Sequence, residues 1–101
     1  MSCSPEQKLA SMIECELTII NKLGLHARAA AKLSSCAGRY AAKIEAGLPG
    51  KKFVDVKSVM SVMLLAASQG TVLQFRFCGD DAEKAHKAIK SLIEDKFGEE
   101  A

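Results

Sequence analysis

The 101-residue sequence predicts an α+β open-faced sandwich: a four-stranded antiparallel sheet covered on one face by three helices, in the order β-α-β-β-α-β-α. Three observations carry this. Four stretches alternate apolar and polar residues, as half-buried strands do. Three others repeat apolar or small residues at helical spacing. Turn residues punctuate the boundaries, at Gly24, Gly38, Gly47-Leu48-Pro49-Gly50, Gly70 and Gly79.

The first strand spans Glu14 to Ile20, with Cys15, Leu17 and Ile19 on one face and Glu14, Glu16 and Thr18 on the other. A loop over 21–26 leads to a helix from Ala27 to Gly38, with Ala30, Leu33, Ser34 and Ala37 as a stripe of small residues. Small side chains let such a helix lie close to a sheet. Tyr40 to Ala46 is a second strand, with Ala42, Ile44 and Ala46 inward and Lys43 and Glu45 outward. A hairpin turn joins it to a third, Lys51 to Val56, with Val54 and Val56 inward.

Ser58 caps a second helix reaching Ala67. There the apolar arc is wide: Val62 and Leu64 are assigned to the core, while Val59, Met60 and Met63 form a patch left outside. Thr71 to Cys78 is the clearest strand, Leu73, Phe75 and Phe77 alternating with Gln74, Arg76 and Cys78. Asp80 and Glu83 have capping-box spacing for a last helix ending near Phe97, burying Ala82, Ala85, Ile89, Leu92 and Ile93. His86 on its flank reads as structural. Residues 1–11 show no period and read as a mobile extension; residues 12–101 read as one domain.

Composition narrows the function. Hydrophobic residues make up 49%, so a core is affordable in size, yet five aromatics leave it mostly aliphatic. A net charge of +2 and the lack of basic runs interleaved with aromatics argue against nucleic acid. Cys3, Cys15, Cys36 and Cys78 are widely spaced, with no Cys/His cluster for a metal. Residues 1–12 hold no continuous apolar segment, so the reading is a cytoplasmic chain with free thiols, no membrane insertion and no cofactor.

His26 falls where the chain enters its first helix. The unpaired N–H groups and dipole of a helix start favour an anion beside the ring, and Arg28 adds a guanidinium suited to phosphate. A neutral imidazole nitrogen is a competent nucleophile. This pattern reads as a histidine that accepts a phosphoryl group and holds it at a prepared anion site.

Asn21-x-x-Gly24-Leu25-His26-Ala27-Arg28, together with Lys57-Ser58-Val59-Met60-x-Val62-Met63, resembles the HPr phosphocarrier family of the bacterial phosphotransferase system. The resemblance extends over about Met12 to Phe97 and includes Gln69-Gly70-Thr71 and Gly79-x-Asp81. It implies that His26 takes phosphate on Nδ1 from phospho-Enzyme I and passes it to an enzyme IIA domain, with Arg28 steadying the group. It implies Ser58 as a regulatory target of HPr kinase/phosphorylase, a monomeric carrier and not an enzyme. Lys32, Val59, Met60 and Met63 are the candidate partner contacts. Two positions depart from the pattern: Ala29 stands where proline usually follows the arginine, and Asp55 where asparagine is common. The rival expectation is a regulatory binding module of the same fold, controlled by phospho-Ser58.

Overall fold

A computed structural model describes residues 12–101, and the expected extension at 1–11 lies outside the described residues. The elements follow the expected order: β1 Met12–Thr18, α1 Ala27–Ala37, β2 Lys43–Gly47, β3 Val54–Asp55, α2 Val59–Leu64, β4 Val72–Cys78 and α3 Ala82–Glu94, then a 3-10 turn at Lys96–Gly98. The sheet has strand order β1-β4-β2-β3, and every pairing is antiparallel.

Register explains the core. Ile13 and Ile44 both oppose Phe77, Cys15 and Ala46 both oppose Phe75, and Leu17 opposes Leu73. These side chains share the helix-covered face. Ile19, Ile44, Leu73, Phe75 and Phe77 are fully buried there with Leu33, Val62, Ile89 and Ile93 from the helices. Ser34, buried on α1, donates from Oγ to the Val56 carbonyl at 2.8 Å, tying α1 to the chain just after β3. His86 sets its ring edge-on to Phe77, at 5.4 Å between centroids, a structural position.

The open face is charged and partly covered. Arg76 pairs with Glu14 at 3.1 Å and reaches Glu45 at 3.8 Å, and its guanidinium lies 4.1 Å from the centroid of the Phe53 ring. Glu45 does point away from the helices, as expected, but this lid of Arg76 and Phe53 leaves it buried.

Several boundaries move. β2 begins at Lys43 rather than Tyr40, because 38–42 is spent on turns. β3 contracts to two residues, since Glu45↔Asp55 and Ala46↔Val54 are its pairs and Lys51 to Phe53 stay in the connection. α2 stops at Leu64, which is 78% exposed, and Leu65 takes the core position assigned to Leu64. The reason is a left-handed turn at Ala66, which ends the helical period one residue after Leu65. Leu92 is only partly buried. Cys15 and Cys36 are free, and Cys78 is buried.

The cap of α3 is Asp81, not Asp80, and its carboxylate makes no side-chain cap bond. It instead accepts the N–H groups of Ala41 and Ala42, each at 2.8 Å, pinning the turn before β2 to the start of α3. Those bonds, the one from Ala41 foremost, hold the Asp81 carboxyl below its ordinary 3.8 despite some opposing desolvation. A depressed folded value means that the unfolded chain binds the proton more readily. The contribution is therefore present above about pH 4 and lost as pH falls through the folded value. Asp81→Asn is expected to lower stability at pH 7. The gap from the parent should narrow on acidification below about pH 4, read from urea unfolding at several pH values.

Candidate functional site

Gly24 begins the placement of the site. Its φ of +68° is the left-handed region, which glycine occupies without strain. An added Cβ would stand 2.5 Å from the Ala67 carbonyl oxygen and 2.8 Å from the Ser68 Cα, so the loop and the segment after α2 touch backbone to backbone. Leu25 N–H donates to that same Ala67 oxygen at 2.8 Å, and the Leu25 side chain is buried. Inside the loop, the fully buried Asn21 donates from Nδ2 to the Gly24 carbonyl at 2.9 Å. The next residue to emerge is His26.

His26 is the N-cap of α1, with extended backbone at φ −71° and ψ 177°. Its Nδ1 accepts the Arg28 backbone N–H at 3.3 Å, so the ring caps the helix in place of a serine or aspartate. Its Nε2 is paired with Glu99 Oε2. A nitrogen that accepts an N–H carries no proton, so this network assigns the neutral ring the Nε2–H tautomer. The side chain is 29% exposed. It opens on a cleft of about 710 Å³ lined by Lys22, Leu23, His26, Ala27, Arg28 and residues 99–101.

Glu99 arrives by a route the sequence did not announce. The last helix was expected to run to about Phe97; α3 ends at Glu94 instead. Lys96 and Phe97 both take φ of 56°, which turns the chain back toward α1. The Phe97 side chain is fully buried, and its carbonyl accepts Lys32 Nζ at 2.6 Å. Beyond that anchor, Glu99 Oε1 accepts Asn21 Nδ2 at 2.9 Å, and the Ala101 main-chain oxygen accepts Lys22 N–H at 3.0 Å. Asn21 first, then His26, hold the Glu99 carboxyl below its ordinary range. Asn21 Oδ1 finds no hydrogen-bond partner among the described residues.

Arg28 exposes its side chain on the same cleft, so the expected His26–Arg28 pair is brought together. Lys32 is not simply solvated, since its ammonium holds the Phe97 carbonyl. Ser58 caps α2, its Oγ accepting the Ser61 N–H at 3.3 Å. Asp55 prepares that cap by accepting the Lys57 N–H at 2.9 Å. Met60 is 72% exposed, and Val59 and Met63 are exposed beside it. No group of three or more metal-ligating side chains occurs among the described residues, and no helix among them is long and apolar enough to cross a membrane.

The family model described as "PTS HPr component phosphorylation site" matches residues 13–95. The phosphocarrier protein HPr of Xylella fastidiosa strain Temecula1 is 47% identical over 89 residues, which is 88% of this chain and 99% of that protein. The phosphocarrier protein HPr of Pseudomonas aeruginosa is 49% identical over 84 residues, 83% of this chain and 93% of that one. The crystal structure of HPr-C-His from Thermoanaerobacter tengcongensis matches with a TM-score of 0.83 at 44% identity, over 88% of this chain and 99% of that chain. Fold and relatives together define the class: a phosphoryl-group carrier, acted on by partner enzymes and not itself a catalytic enzyme. The chain belongs to the HPr family of the phosphotransferase system.

Gly24→Ala is expected to cost more than about 1 kcal/mol, combining the left-handed backbone with the clash on Ala67. Urea unfolding measures the loss, and a displaced His26 ring resonance would report the loop shift.

Proposed function

We propose that His26 accepts a phosphoryl group at Nδ1 from phospho-Enzyme I, charged by phosphoenolpyruvate, and passes it to a histidine of an enzyme IIA domain. The observation that carries this reading is the position of Nδ1, which accepts the Arg28 N–H at 3.3 Å at the start of α1. For attack, the lone pair must leave that hydrogen bond. The freed N–H then faces the arriving phosphoryl oxygens, in the field of a helix end worth roughly 0.3 to 2 kcal/mol per favourable contact. Arg28, exposed on the same cleft, supplies a mobile cation that can close on a phosphoryl group and open again.

Docking would use the exposed Val59, Met60 and Met63 on α2, whose flexible thioethers adapt to more than one partner. The segment just after α2 abuts the His26 loop through Ala67, a link between the end of that helix and the acceptor loop that supports this reading. Lys32 would contribute positive charge at the rim. Ser58 opens α2 beside this patch, and a phosphate placed there by HPr kinase/phosphorylase would set charge and bulk against docking.

Incubation with Enzyme I and phosphoenolpyruvate is expected to give an acid-labile phosphate on His26, abolished in His26→Ala and retained in Ser58→Ala. Absence of label on histidine would refute the relay and leave the phospho-Ser58 regulatory module as the reading. Met60→Glu should slow labelling about tenfold at limiting Enzyme I, by burying a charge in the docking patch.

A further inference from the structure

We infer that Glu99 is a positioning residue for phosphoryl transfer, holding the proton on His26 Nε2 and facing the positive charge that the ring acquires when Nδ1 is phosphorylated. This rests on His26 being the acceptor. The two ring nitrogens are given different work by different parts of the chain. The Arg28 N–H keeps Nδ1 free of a proton, because a protonated Nδ1 would point at another donor. Glu99 takes the Nε2–H.

The chemistry then follows without moving a proton. The Nδ1 lone pair attacks phosphorus, the donor's bond to phosphorus breaks, and that electron pair stays with the donor. A new N–P bond forms on His26, and the ring, still protonated at Nε2, carries a positive charge opposite the Glu99 carboxylate. In onward transfer the N–P electron pair returns to Nδ1. With Nε2 still protonated, the departing group is a neutral imidazole and not an imidazolate anion. A carboxylate on Nε2 thus supports both halves of a relay, as the carboxylate of a hydrolase triad supports its histidine.

Glu99 is built for this. Its second oxygen is fixed by the fully buried Asn21 at 2.9 Å, the same side chain that holds Gly24 and so sets the His26 loop. The buried Phe97 and its bond from Lys32 fix the approach. The charged groups around the pair are Lys22, Arg28 and Glu100, which line the cleft, and Lys32, which acts on Glu99 from α1. The carboxyl is held in its ionised form by Asn21 and His26, as charge compensation requires.

The test compares the parent with Glu99→Ala, Glu99→Gln and Glu99→Asp. Single-turnover labelling by Enzyme I and phosphoenolpyruvate gives the rates, and ¹⁵N spectra of the ring give the Nε2 protonation of phospho-His26. Glu99→Gln keeps an acceptor and the side-chain volume but removes the charge. Both Gln and Ala variants are expected to slow transfer about tenfold and to lower the Nε2-protonated fraction at neutral pH, with Asp restoring part of both. A Gln variant matching the parent in rate and ring protonation would overturn the inference, even if the Ala variant were slow, since packing alone would then suffice. Parent protein that takes no label on His26 would instead defeat the carrier reading itself.

Discussion

The contact between Gly24 and the backbone at Ala67 and Ser68 sets where every other part of the site can stand. It is a backbone contact, so no rotamer change can relieve it. It fixes the loop that delivers His26 to the start of α1, and it joins that loop to the segment leaving α2. The segment can meet it because Ala66 turns left-handed, a conformation costing a non-glycine residue roughly 1–2 kcal/mol. Local strain at Ala66 is offset by what it brings together: Leu25 and Leu65 in the core and the Ala67 carbonyl against Leu25 N–H.

From that fixed loop the two ends of the imidazole meet different partners. One nitrogen belongs to a helix start, a feature determined by local sequence. The other belongs to a glutamate 73 residues away, brought by a turn of three left-handed residues, Lys96, the buried Phe97 and Gly98. Asn21 links the two, donating to both the Gly24 carbonyl and Glu99. Its buried amide therefore couples the geometry of the loop to that of the carboxylate, which is more than a turn-forming asparagine ordinarily does.

Local rules made much of this visible in advance. The alternation of Leu73, Phe75 and Phe77 and of Cys15, Leu17 and Ile19 placed two strands, and the cap at Ser58 and the entry at His26 placed two helices. Where two rules competed, the local one failed. Asp80 and Glu83 had capping-box spacing, yet Asp81 took the cap because its carboxylate serves the turn at Ala41 and Ala42 across the fold. Leu64 fitted the helical period, but the turn at Ala66 handed its core position to Leu65. Glu99 was invisible for a similar reason. Gly98 marks a stop just before it, but the left-handed backbone of Lys96 and Phe97 has no such mark, and the partner of Glu99 is distant in sequence.

A carrier must hold its cargo weakly enough to surrender it, and the construction around His26 suits that demand. A deep, fully buried set of cations would hold a phosphoryl dianion too well. Here the donors are few: one held N–H at a helix end and one exposed guanidinium on one side, with a carboxylate set against the far nitrogen. In the proposed relay the carboxylate would steady the charged ring but repel the dianion, favouring the phosphorylated state less than a cation there would. Firm packing is spent instead on Gly24, Leu25, Asn21 and Phe97, which hold the ring's position, while the surface that partners would cover stays apolar and adaptable. In the proposed relay, a closely packed scaffold would set the geometry while few donors held the phosphate, which is the balance that reversible transfer between proteins requires.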